Sequence, residues 1–418
     1  MMATDIHRTI QAVFRIEQAK LIAGLARITR DVGLAEELAQ DALVAALEAW
    51  PRTGVPERPG AWLMAAAKHR AIDHFRRLRL AERKHGEIAR DQQSLEGDMP
   101  DFEGALDDDI GDDLLRLIFT ACHPVLSAEA RAALTLRMLG GLTTDEIARA
   151  FLVAEPTIAQ RIVRAKRTLA DARVPFEVPH GPERGTRLAS VLEVIYLIFN
   201  EGYAATAGQD WMRLELCEEA LRLGRILAGL APLEPEVHGL VALMEIQASR
   251  FGARTKPDGE PILLLDQNRA RWDQLLIRRG LAALALAETL SGALGPYQLQ
   301  AAIAACHARA RVADDTDWPR IVELYGALAS LSPSPVVELN RAVAVSMASG
   351  PAAGLELVDR LSASPALKGY HLLPSVRGEL LAKLGRHGEA RAEFERAASL
   401  TRNERERRLL LARAAAVQ

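Results

Sequence analysis

The chain has only three cysteines, Cys122, Cys217 and Cys306, in 418 residues. They lie far apart, their number is odd, and no CxxC occurs. A disulfide framework and a cysteine zinc site are therefore not expected, which fits a reducing cytosol. Aromatic residues make up only 5% of the chain. With Ala and Leu abundant, this composition favours helices over strands. No stretch approaches the roughly 18 uncharged apolar residues that a membrane span needs. The opening MMATDIHRTI has no apolar signal core. A cytoplasmic protein without membrane contact is expected. Net charge is small, −3 with a pI near 6.4, so any nucleic-acid contact must come from local clusters. The hallmarks of common enzyme sites are missing too: no Walker loop, no GxGxxG, no HExxH and no GxSxG. No cofactor or metal is indicated.

Hydrophobic residues at 49% and charged residues at 26% describe an ordinary globular chain. Its length suggests about three domains. Charge marks the divisions. Residues 1–90 are mildly basic, whereas 91–113 (DQQSLEGDMPDFEGALDDDIGDD) hold ten acids and no base and read as a linker. A helical block covers 114–175. The proline- and glycine-rich VPFEVPHGPERG at 174–185 is a second boundary. Residues 186–330 read as helices without a clean repeat. In 331–418, Gly378, Leu381, Ala390, Phe394 and Ala397 are spaced for two close-packed antiparallel helices. A weaker copy lies at Ala342, Val345, Gly354 and Val358. The pattern resembles a tetratricopeptide repeat, with a plain helical hairpin as the alternative.

Three motifs carry chemistry. The first, DVGLAEELAQDALVAALEAW at 31–50, is an amphipathic helix with five acids and no base. Glu37, Asp41 and Glu48 fall within about 40° on the helical wheel. A solvated face is the ordinary account of a charge run, yet solvated helices usually mix signs to gain i,i+4 pairs. A stripe of one sign suggests a basic partner.

The second motif is AWLMAAAKHRAIDHFRRLRLAERK at 61–84. Leu63, Met64, Ala67, Ala71, Phe75 and Leu78 form one apolar face. Trp62, His69, Arg70, Asp73, Arg76 and Arg77 lie opposite. A tryptophan beside cations either stacks on an unpaired base while arginines hold phosphates, or is buried against a neighbouring helix.

The third, LTTDEIARAFLVAEPTIAQRIVRAKRTL at 142–169, reads as a helix-turn-helix. Thr143 or Thr144 caps the first helix, with Glu146 in its first turn. Leu152 to Ala154 make the turn, and Pro156 sits in the first turn of the second helix. There Ile158, Ile162, Ala165 and Leu169 face inward. Thr157, Gln160, Arg161 and Arg164 share another arc, flanked by Arg167, while Lys166 lies further round. Arg reads guanine, Gln reads adenine and Lys holds phosphate.

In this order and at these separations, the motifs resemble regions 2 and 4 of an extracytoplasmic-function (ECF) sigma factor, the promoter-specificity subunit of bacterial RNA polymerase. AEELAQDAL resembles region 2.2, WLMAAAKHRAIDHFRR regions 2.3 and 2.4, and the helix-turn-helix region 4.2. The resemblance implies an all-α protein: a region 2 domain (1–90), an acidic linker (91–113), a region 4 domain (114–175) and a helical tail (186–418). It implies core polymerase and promoter DNA as partners. Glu37, Asp41 and Glu48 become polymerase contacts. Trp62, Lys68, His69, Arg70, Arg76 and Arg77 become contacts to the minus-10 element. Thr157, Gln160, Arg161, Arg164 and Arg167 become contacts to the minus-35 element. Two features depart from the commoner pattern. One is the loop Pro51–Gly60, where such proteins cradle a flipped base. The other is the tail, which looks like that of a long-tailed ECF group and suggests regulation in cis or a protein or peptide partner.

Two rival readings stand beside this one. An enzyme has little support: Cys122 and His123 are adjacent and point about 100° apart on a helix. Asn200-Glu201-Gly202-Tyr203 reads as a helix end capped by glycine, or as a pocket lining. LLLDQNRARWD at 263–273 reads as a helix start with a buried Trp, or as a small-ligand site. The other rival is a stand-alone transcription regulator with a sensing tail, which leaves the first two motifs unexplained.

Overall fold

The computed structural model describes residues 2–86, 110–151, 153–205, 207–257 and 259–417. Most of the expected acidic linker and Leu152 of the expected turn lie outside them. The described residues are all-α apart from two-residue strands and one isolated bridge. They divide into two compact units, 1–194 and 195–418.

The first unit holds α1 (Met2–Thr29), α2 (Val32–Thr53), α3 (Pro59–Gly86), α4 (Ile110–Ala121), α5 (Ala128–Met138), α6 (Thr144–Phe151), α7 (Glu155–Asp171) and the first half of α8 (Pro182–Tyr203). Local chemistry sets the ends. The Asp31 carboxylate accepts from the Gly33 and Leu34 amides at 2.7 and 3.1 Å, capping α2. Gly54, with φ +82°, ends that helix by returning its N–H to the Trp50 carbonyl. Thr143 and Glu146 make a reciprocal capping box on α6: the Thr143 amide donates to the Glu146 carboxylate, and the Glu146 amide to Thr143 Oγ1.

Ile10, Leu21, Ile22, Leu25 and Trp50 fill the core of the first three helices together with Leu63. Leu117, Leu134, Leu136, Met138, Ile147, Ile158 and Ile162 fill that of the next four.

Two boundaries differ from expectation. Helix α4 begins at Ile110, inside the stretch read as linker. Asp112 and Asp113 occupy its first turn, where the helix dipole favours anions. Asp113 is buried, 3.2 Å from Arg27 of α1 and 2.6 Å from Arg116. The block expected to end at 175 also gains a further wall from α8. Ser190 donates to the Cys122 carbonyl at 2.6 Å and Arg187 to the Phe119 carbonyl at 3.0 Å, while Arg131 reaches both Ser190 and Glu193.

The second unit holds the rest of α8, α9 (Leu214–Leu230), α10 (Pro235–Ala248), α11 (Gln274–Leu290), α12 (Pro296–Arg309), α13 (Trp318–Leu331), α14 (Pro335–Ser349), α15 (Pro351–Leu361), α16 (Leu372–Lys383), α17 (His387–Leu400) and α18 (Glu404–Ala416). Successive helices pack pairwise around buried Ala and Leu. The spacing read from the sequence is realised here. A Cβ on Gly378 would lie 3.0 Å from the Phe394 ring, and one on Gly354 2.4 Å from Ser346 Cβ. The NEGY run ends α8 at Tyr203 as read, with Gly202 in its last turn, where a Cβ would lie 2.8 Å from Cys217 Sγ.

Candidate promoter and polymerase interface

The acidic stripe of α2 is exposed as its spacing requires: Glu37, Asp41 and Glu48 all face solvent. The opposite side of α2 buries Ala35, Leu38, Ala39, Ala42 and Ala46 against neighbouring helices. The stripe is not isolated from the basic helix, because Arg70 of α3 lies 3.9 Å from Asp41. That pair is about half exposed and contributes little to stability.

On α3, His69, Arg70, Arg76 and Arg77 are exposed, and Lys68 is half-buried. Trp62 is half-buried. Its ring meets Trp50 edge-to-face at 5.3 Å and 67°. Trp50 is itself 1% exposed, so it forms a fixed floor under Trp62. One edge of Trp62 is thus packed, and the residue keeps an accessible surface.

On α7, Ile158, Ile162, Ala165 and Leu169 are buried as expected. Thr157, Gln160, Arg164 and Arg167 are exposed, and Arg161 is half-buried. Arg167 lies 3.5 Å from Asp171 one turn on. Ala154 caps α7 without a side-chain bond, and Pro156 occupies its first turn. The Val153 amide donates to the Ala148 carbonyl at 3.0 Å, which closes the turn between the two helices.

One group escaped the sequence reading. Glu36 neighbours the acidic stripe but is 4% exposed. Its carboxylate accepts from Arg137 Nε of α5 at 2.7 Å and pairs with Lys166 of α7. Around this point Gln18 donates to the Arg137 carbonyl at 3.0 Å, and Arg15 lies 3.7 Å from Glu146. The acidic and basic helices and the helix-turn-helix are therefore joined. A signal existed for one partner: Lys166 lies about 40° from Ile162 on the helical wheel, at the border of the apolar stripe.

Among the described residues no cluster of His, Cys, Asp and Glu could hold a metal, and no helix is long and apolar enough to cross a membrane. Cys122 is buried beside Thr135, and burial pushes its thiol up to about 11. Burial, then the charge of Arg187, pushes His123 down to about 4. Neither group suits nucleophilic catalysis at neutral pH.

Known families cover this geometry. Sigma-70 region 2 matches residues 13–80, and Sigma-70, region 4 matches residues 116–169. The chain is 30% identical over 168 residues to the ECF RNA polymerase sigma factor SigC of Mycobacterium tuberculosis (strain CDC 1551 / Oshkosh). That alignment spans 40% of this chain and 84% of the relative. The probable RNA polymerase sigma-C factor of Mycobacterium bovis (strain ATCC BAA-935 / AF2122/97) matches to the same extent.

The chain belongs to the ECF sigma factors. It is an RNA polymerase sigma factor, a protein of transcription initiation, and its region 2 and region 4 domains imply binding to core polymerase and promoter DNA. Its tail is shared by an uncharacterised protein of Rhizobium meliloti (strain 1021), 46% identical over 387 residues, which covers 91% of this sigma factor and 89% of that protein. Within the tail, residues 187–288 match a family of unknown function, DUF6596. No solved structure matches the sigma factor.

Proposed function

We propose that the three stripes divide promoter recognition among them. Glu37, Asp41 and Glu48 dock on a basic surface of core polymerase. Trp62, Lys68, His69, Arg70, Arg76 and Arg77 engage the minus-10 element, with Trp62 stacking on a base freed from its pair. Thr157, Gln160, Arg161, Arg164 and Arg167 enter the major groove at the minus-35 element. The observation that carries this reading is that α2 and α7 keep their charged arcs outward while their apolar stripes are buried.

The junction at Glu36 adds a conformational step. Elements named for positions 35 and 10 lie roughly 25 base pairs apart, or about 85 Å at 3.4 Å per pair. Two modules held together at Glu36, and by the Arg27–Asp113 and Arg15–Glu146 pairs, cannot reach both at once. The arrangement around Glu36 is thus a closed form, and promoter engagement requires region 4 to leave region 2. We assign residues 195–418 to control of the sigma module in cis, a role suited to helical repeats and their concave surfaces.

Run-off transcription with purified core polymerase and full-length protein tests the whole. Defined start sites on genomic fragments are expected only when the protein is added. Tight operator binding without polymerase, and no initiation with it, would favour a stand-alone regulator instead.

A further inference from the structure

The second unit contains a cavity of about 450 Å³ between α8, α10, α12, α13 and α14. Its volume lies in the range of small-molecule sites. Two sequence stretches that promoter recognition does not use meet there: Asn200 of the NEGY run and Leu264 of LLLDQNRARWD both line it. Half of the wall is aliphatic, from residues such as Leu243, Ile303, Leu328 and Val337. The polar part is supplied by Tyr196, Gln247, Gln300, Tyr325, His307 and Arg250, and no carboxylate lines the cavity.

Arg250 is the charged member, and it is held rigidly. Its Nη1 donates to Gln247 Oε1 at 2.9 Å and its Nε to Gln267 Oε1 at 3.2 Å. The guanidinium carbon lies 5.9 Å from the Tyr203 ring centroid and 5.5 Å from that of Trp272. Two neighbouring arginines add positive field. Arg254 lies 3.6 Å over the Tyr203 ring, and Arg269 donates to the His307 and Ala310 carbonyls. Among the described residues none of the three forms an ion pair.

His307 lies on the same wall with its Nδ1 buried and without a hydrogen-bond partner. Burial, then the charges of Arg250 and Arg269, pushes it down to about 4, so it stands neutral at pH 7. Buried charge is normally paired, and buried polar atoms are normally satisfied. Here the half-buried Arg250 has amide oxygens but no carboxylate as partners, and a buried imidazole nitrogen stands unbonded, both on the border of an apolar cavity.

We propose that this cavity is a binding site for a small organic acid, whose carboxylate pairs with Arg250 and whose apolar body fills the aliphatic wall. Neutral His307 and the amide and phenol groups then act as hydrogen-bond partners rather than as charges. A single rigid guanidinium suits a planar carboxylate. This assignment does not rest on the promoter-recognition residues.

Full-length protein is titrated with hexanoate, phenylacetate, acetate and inorganic phosphate, and with hexanamide and phenylacetamide as uncharged matches. Binding is read by calorimetry and by the change in tryptophan fluorescence, since Trp272 stacks on Arg250. Hexanoate or phenylacetate is expected to bind at millimolar concentration or below, about tenfold or more tighter than its amide. Acetate and phosphate should bind more weakly, because neither fills the apolar wall. The Arg250→Gln variant should lose about tenfold or more of the acid affinity and none of the amide affinity. Equal affinity for acid and amide, tightest binding by phosphate, or no binding by either longer acid at millimolar concentration would each overturn the proposal. The acid–amide comparison uses the unaltered protein, so a variant that misfolds does not weaken it.

Discussion

Lys166, on the helix assigned to enter the minus-35 groove, pairs with Glu36, on the helix assigned to meet polymerase. Glu36 is buried and accepts from Arg137 as well, so three helices converge on one carboxylate. Removing one member of such a buried set leaves charge without a partner, at a cost of about 3–5 kcal/mol when burial is complete. Lys166 and Arg137 keep some solvent, so a loss nearer 2 kcal/mol is expected for Glu36→Ala. Small-angle scattering of the Glu36→Ala protein should show a larger radius of gyration than the unaltered chain. An unchanged profile at unchanged thermal stability would remove the closed form.

Base reading by α7 predicts a different signature. Arg161→Ala or Arg164→Ala should cost about 1–3 kcal/mol at one base pair if the guanidinium reads an edge. A loss spread evenly over all promoter variants would mark a phosphate contact instead. Transcription from a set of single-base minus-35 variants separates the two. Arg167 is fully exposed and partly engaged by Asp171, so Arg167→Ala should give the even, salt-dependent loss.

Much of this was legible in the chain because the patterns are local. The apolar stripe of α7, the capping box at Thr143 and Glu146, and the outward arc Glu37–Asp41–Glu48 each follow from helical period within one element. What escaped are groups whose partners lie far off in sequence. Glu36 meets Arg137 and Lys166 more than a hundred residues away; helical period sets it apart from Glu37, beside Leu43 and Leu47, but nothing within α2 names the partners that a buried acid requires. Asp113 looked like the last acid of a linker, because its partner Arg27 stands in another helix. The NEGY run was legible as a helix end, but nothing in the sequence announces that Cys217 packs on its glycine.

Trp62 rests edge-on against the buried Trp50, which fixes its ring for stacking. Loss of one stacked base costs about 1–3 kcal/mol. Trp62→Ala should therefore lower open-complex formation on duplex promoters by roughly tenfold or more, while binding to core polymerase is retained. On a template already mismatched across the minus-10 element the defect should shrink, because the unpairing cost is prepaid. A defect of equal size on both templates would assign Trp62 to packing alone.

The close approach of α14 and α15 makes Gly354 a sensitive position. A Cβ there would stand 2.4 Å from Ser346 Cβ and 2.9 Å from the Ala342 carbonyl oxygen. The second contact is backbone and cannot swing aside. Gly354→Ala should destabilise the tail by about 1–3 kcal/mol through overpacking. Gly388, with nothing near its Cβ position, is the matched control and should tolerate alanine. Thermal unfolding followed by circular dichroism distinguishes the pair.

Histidine titration gives the last test, and its direction follows from burial. His307 and His123 are both pushed from the ordinary 6.5 down to about 4, in each case mainly by burial. Folding therefore favours their neutral forms. Between about pH 6.5 and 4 the unfolded chain takes up protons that the folded chain refuses. Their contribution is intact above pH 6.5 and is lost as pH falls toward 4. Carboxylates titrate in the same window, so the informative quantity is the difference between unaltered protein and variant. His307→Gln cannot be protonated and escapes this penalty. Its stability deficit relative to the unaltered chain, measured by thermal unfolding, should be largest at pH 7.5 and should shrink by pH 5. A constant deficit would mean that folding leaves the proton affinity of His307 unchanged, and a deficit that grows on acidification would mean that folding favours its charged form. The cavity it borders would then present two cations rather than one, and inorganic phosphate would become the better ligand.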